Sequence, residues 1–129
     1  MQTQPTLAEQ PGLGYILVVD DDPDLRFTIR WALEDEGFQV ETAADGQEAI
    51  ERGMKTRPAL LVLDMGLPIV NGDGVAARLR NELGFGLPIL VITADGHASE
   101  KAARVGAFDY LHKPFDLEAL VRSVHRGLA

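Results

Sequence analysis

The sequence predicts an α/β fold, a (βα)5 unit whose five parallel strands form a doubly wound sheet, and three observations carry that expectation. Short apolar runs recur at 16–19, 60–63 and 89–92. They are too short for helices and too continuous for strands with one wet face, the pattern of strands buried on both faces. Segments of helical period lie between them, and 129 residues are one domain's worth, enough to bury roughly two thirds of the unfolded surface.

The first strand, 16–19, runs into Asp20-Asp21-Asp22 and then a helix over 23–36, with Asp22 and Pro23 as cap and first-turn pair and Gly37 as its stop. A weaker second strand fits 38–43 and a helix fits 47–55. After the third strand, a loop over 65–71 leads to a helix expected at 75–82. The fourth strand is followed by a helix at 99–105, and a second weak strand at 108–111 precedes a last helix at 116–126. The opening stretch MQTQPTLAEQPGLG reads as a disordered tail over 1–14, leaving 15–129 as the domain. A sheet wound this way carries helices on both faces and binds its ligand beyond the carboxyl ends of the strands, where strand order reverses.

Composition narrows the classes of function. A formal net charge of -8 works against a phosphate backbone, so direct nucleic-acid binding by this segment is not expected. Absence of cysteine removes disulfides and thiolate chemistry and suits the cytoplasm. No signal-like start and no apolar run near the ~20 residues of a membrane helix is present, so no membrane association is expected. From His97 onward five basic residues face four acids, a near-neutral tail that is either chance or a partner-facing surface.

At the strand ends stand Asp20-Asp21-Asp22, Asp64, Thr93 and Lys113, polar groups delivered to a single rim. Each has an ordinary explanation alone; their convergence does not. Carboxylates a few ångströms apart repel by about 4 kcal/mol per pair at an effective dielectric near 20. A hard cation relieves that crowding, and Mg²⁺ suits a site of carboxylates without histidine or cysteine. A metal beside a lone carboxylate, a hydroxyl and an ammonium is a set for phosphoryl transfer, with Asp64 able to act as nucleophile. Pro114 after Lys113 biases the lysine to an extended backbone and permits a cis peptide.

The pieces VVDDD, LVLDMGLP with NGDG after it, VITAD and DYLHKPF stand in an order and spacing that resembles the response-regulator receiver domain of two-component signalling, from Tyr15 to the end. That resemblance implies the flavodoxin-like strand order 2-1-3-4-5. It further implies Asp64 as phosphoacceptor, Asp20 and Asp21 as Mg²⁺ ligands with Asp64 and the Gly66 carbonyl, and Thr93 and Lys113 as contacts to the phosphoryl oxygens. Tyr110 would turn inward when Thr93 moves, and Asp22 remains a helix cap. Gly66 and Asp95 match positions that tune acyl-phosphate lifetime. The implied partner is a histidine kinase or histidine phosphotransfer protein, with a phosphorylation-dependent homodimer through the near-neutral tail. The chemistry is limited to self-phosphorylation from a donor and self-dephosphorylation, not turnover of a separate substrate. Two departures stand out: Leu67 replaces a frequent methionine, a change of little volume, and Gly74 occupies a helix-forming position and delays the third helix.

Residues 72–77 fit a G-x-G-x-x-A fingerprint, but a loop separates them from the strand. His97, His112 and His125 are far apart and read as surface residues. In the first helix, Leu25, Ile29, Ala32 and Leu33 form one face while Phe27 and Trp31 fall opposite. These aromatics either stack on each other or form a docking patch for the phosphodonor. Competing functions are an aspartate-nucleophile phosphohydrolase using Asp20, disfavoured by the immediate helix start at Pro23, and an interaction module that is never phosphorylated.

Overall fold

A computed structural model describes residues 14–129 of the chain. Of the tail expected at 1–14, all but Gly14 lies outside the described residues. The elements are β1 (Ile16–Val19), α1 (Pro23–Asp35), β2 (Val40–Ala43), α2 (Gly46–Lys55), β3 (Leu60–Asp64), α3 (Gly72–Leu83), β4 (Ile89–Thr93), α4 (Ala98–Val105), β5 (Asp109–His112) and α5 (Leu117–Leu128). All strand pairs are parallel, in the order β2-β1-β3-β4-β5.

Alternation along the buried strands divides the core in two. Leu17, Val19, Leu61, Leu63, Ile89 and Val91 pack on one face with Ala49 and Ile50 of α2, Val75 and Leu79 of α3, and Ala102 of α4. Ile16, Val18, Leu60, Val62, Leu90 and Ile92 pack on the other with Ile29 and Leu33 of α1 and Leu120 and Val124 of α5. Period-2 side chains on strands covered on both faces produce this split without any polar alternation.

Several boundaries depart from the sequence reading by one to three residues, and three of the shifts have a local cause. The third helix begins at Gly72, not Val75, because the Asn71 side chain caps it by accepting from the Gly74 N–H at 2.9 Å. A good cap satisfies a first-turn donor and outweighs the poor propensity of two glycines there. Phe38 precedes β2 and its N–H donates to the Leu33 carbonyl, so it belongs to the end of α1, where Gly37 has a φ of 94°. The last strand is shifted by one residue, with the Phe108 N–H already donating to the Ile89 carbonyl at 3.0 Å.

Candidate functional site

Strand order reverses on either side of β1 and β3, and the register there sets Val19 against Leu63. Asp20, one step beyond β1, therefore stands beside Asp64, the last residue of β3. On the other flank Asp64 pairs with Ile92, so that Thr93 follows it at the same edge, and Thr93 pairs with His112, which precedes Lys113. The convergence anticipated from the strand ends is thus a product of parallel register.

Asp64 is buried, and the Gly66 N–H donates to its Oδ1 at 3.0 Å. Lys113 Nζ lies 3.3 Å from Asp64 Oδ2 and 2.7 Å from Asp20 Oδ2, a cation set between two buried anions. Burial pushes the Asp64 carboxyl above its usual range; the Gly66 N–H opposes this, Asp20 adds to it and Lys113 opposes it. For Lys113, burial pulls downward, but the two aspartates outweigh it and hold the ammonium above its ordinary value. The Lys113 N–H donates to the Thr93 carbonyl at 2.8 Å, and the Lys113–Pro114 peptide is cis.

The three acids differ in surroundings. Asp20 is fully buried, its Oδ1 accepts from the Asp22 N–H at 2.9 Å, and its Oδ2 has no hydrogen bond despite the nearby ammonium. Asp21 is exposed. Asp22 caps α1, accepting from the N–H groups of Asp24 and Leu25. Oxygens of Asp20, Asp21 and Asp64 lie within 4.8 Å of one another. An all-oxygen donor set that includes one buried oxygen without a hydrogen bond fits a hard divalent cation.

Thr93 is buried and its Oγ1 accepts from the Asp95 N–H at 3.2 Å. The Asp95 carboxylate faces Lys101 Nζ at 2.5 Å, which holds its pKa below the usual range. Tyr110 is 45% exposed, on a strand neighbouring β4. Gly66 is exposed, and a Cβ built there would meet only Asp64 Oδ1, at 3.7 Å. Phe27 and Trp31 are 71% and 60% exposed, opposite the buried Ile29 and Leu33. Among the described residues the aromatic ring contact is between Phe38 and His125, so Phe27 and Trp31 do not stack. All three histidines are exposed, and His125 also pairs with Glu36 at 3.0 Å.

Two contributors went unread in the sequence. Arg26 Nη1 donates to the Asp20 carbonyl at 2.9 Å, tying the β1–α1 turn to the first helix. A cation in the first turn of a helix opposes the macrodipole, and that misfit was the available hint. The Gly66 N–H on Asp64 left no trace in residue type, because any residue but proline supplies that donor.

The described residues thus form a five-stranded parallel α/β sheet with a cluster of carboxylates at its switch point. Residues 16–125 match the family model of the response regulator receiver domain, and the chain belongs to that family, the receivers of two-component systems. It is 46% identical over 111 residues to the response regulator MprA of Mycobacterium leprae, spanning 84% of this chain and 48% of that protein. With MprA of Mycobacterium ulcerans it shares 48% over 108 residues, 82% of this chain and 46% of that one. The chain thus spans about half the length of the curated relatives it matches. Among solved structures, the chemotaxis response regulator CheY4 of Vibrio cholerae superposes with a TM-score of 0.80 at 34% identity, covering 89% of this chain and 98% of that one. The response regulator TrrA of Thermotoga maritima, in complex with Mg²⁺-BeF, gives 0.80 at 30% identity, covering 89% and 99%.

Proposed function

We propose that residues 15–129 act as a phosphorylatable switch in which Asp64 accepts a phosphoryl group from a histidine kinase or histidine phosphotransfer protein. The observation that carries this reading is the buried Asp64 carboxylate, held by the Gly66 N–H and Lys113, with oxygens of two further aspartates within 4.8 Å. An Asp64 carboxylate oxygen attacks phosphorus, forming an O–P bond as the donor's N–P bond breaks, and the imidazole nitrogen keeps the electron pair. Lys113 and the Thr93 hydroxyl meet the incoming oxygens, replacing the donor's contacts with fixed charge and a fixed dipole.

Asp20, Asp21, Asp64 and the Gly66 carbonyl would hold Mg²⁺, which, when bound, neutralises charge on the carboxylates and phosphoryl oxygens. The Mg²⁺-BeF complex of TrrA supports the same choice of ion here. Phosphorylation adds about -1.5 to -2 of charge, draws Thr93 toward the site, and lets Tyr110 move from its exposed position, altering the α4–β5–α5 face. That face is the proposed surface of a phosphorylation-dependent homodimer. Phe27 and Trp31 form the proposed docking patch for the donor, while Gly66 and Asp95 set how water reaches the acyl phosphate. The protein works in the cytoplasm and turns over no substrate besides its own phosphoryl group; among the described residues no helix is long and apolar enough to cross a membrane.

Intact mass after incubation with acetyl phosphate tests the proposal. The wild type gains one phosphoryl adduct with Mg²⁺ and none in EDTA, and Asp64→Asn gains none. An adduct retained by Asp64→Asn and lost in Asp20→Asn would transfer the role to Asp20.

A further inference from the structure

The loop after Asp64 is held tightly at one residue. Val70 packs against the core, and a Cβ on Gly46 would overlap its carbonyl oxygen while one on Gly74 would come within 2.7 Å of its Cγ1. Val70 is therefore wedged between two positions that admit only glycine without movement. The chain entering that wedge leaves the preceding residue, Ile69, at a φ of 69° with 80% of its surface exposed.

Isoleucine suits neither condition. A β-branched side chain in the left-handed region is strained, and an exposed isoleucine gains nothing from burial. Glycine or asparagine would accept the same backbone with less strain and present no large apolar surface to water. What Ile69 contributes must come from outside the chain.

Its place says from where. The Gly72 N–H closes the loop by donating to the Met65 carbonyl at 3.4 Å, and a Cβ on Gly72 would sit 3.0 Å from the Asp64 carbonyl oxygen. Ile69 precedes Gly72 by three residues, a reach of at most about 11 Å. A protein that brings phosphorus to bonding distance of Asp64 buries about 800 Å² here, a patch of roughly 16 Å radius. Such a donor covers Ile69; a small phosphodonor does not.

We infer that Ile69 is a specificity-determining contact for the protein phosphodonor, received by apolar surface flanking its phosphohistidine, an inference that rests on Asp64 being the acceptor. Labelling of wild type, Ile69→Asn, Ile69→Gly and Ile69→Val is compared using acetyl phosphate and using a phosphorylated histidine phosphotransfer domain that labels the wild type, alongside denaturation midpoints. Ile69→Asn and Ile69→Gly are expected to be at least as stable as wild type, to keep acetyl phosphate labelling within about twofold, and to lose about tenfold in transfer from the protein donor. Ile69→Val keeps most of that transfer. Unchanged protein transfer in the asparagine and glycine variants, or equal slowing with both donors, would overturn the inference. Failure of the wild type to label from acetyl phosphate would instead strike the reading of Asp64.

Discussion

Single side chains at the rim act against their own solvation. Lys113 is withdrawn from water to sit between Asp20 and Asp64, and each of the three is tolerable there only because the others are present. Tyr15 shows the same logic with a neutral group at the opposite end of β1. Its hydroxyl donates to the carbonyls of Thr56 at 2.7 Å and Arg52 at 3.2 Å. Burial, with a smaller push from Glu41, drives its pKa up to about 12. The folded state thus favours the protonated phenol over an unfolded chain with an ordinary value near 10. The resulting stability is fully present below pH 10 and is lost as pH rises toward 12. Urea unfolding of wild type and Tyr15→Phe at intervals from about pH 8 to 11 checks this: the wild type's advantage holds to about pH 10 and narrows above it. At this scale the sequence was informative about Asp20, Asp64, Thr93 and Lys113, since residue type and strand position suffice to deliver them. For Arg26 it offered only the misfit with the helix dipole, because the target depends on where a flexible side chain turns.

Between elements, the least legible feature was Arg80 of α3. It reads as one more charge on a helix, yet it is buried and donates to four backbone carbonyls: Val105 and Gly106 at the end of α4, and Phe85 and Leu87 before β4. A cation at a helix C-terminus satisfies orphan carbonyls and favours the macrodipole. Arg104 of α4 adds a paired contact to Asp73 of α3. Together they bind α4 to α3 at points no periodicity reveals, because both partners' backbones are brought near only by the fold. Arg80→Met is expected to cost about 3 kcal/mol in chemical denaturation. Amide exchange should accelerate in α4 while α1 keeps its protection; uniform acceleration of both would contradict a local role. The third helix teaches a related lesson: Gly74 argued for a late start, and Asn71 overrode it through a single side-chain bond.

Over the whole molecule, the architecture was readable because its strands are buried on both faces and punctuated by helices, a pattern few folds share. Strand order came from resemblance, since apolar runs alone do not say which strand lies beside which. That order places the switch point between β1 and β3 and so joins Asp20 and Asp64. The proposed function requires that Asp64, and no other carboxylate of the rim, carries the phosphoryl group. Borohydride reduction of the protein after acetyl phosphate treatment, followed by peptide sequencing by mass spectrometry, reads the modified position directly, because an acyl phosphate is reduced to an alcohol. Homoserine at position 64 alone is the predicted result; homoserine at position 20 or 21 with an intact Asp64 would contradict it.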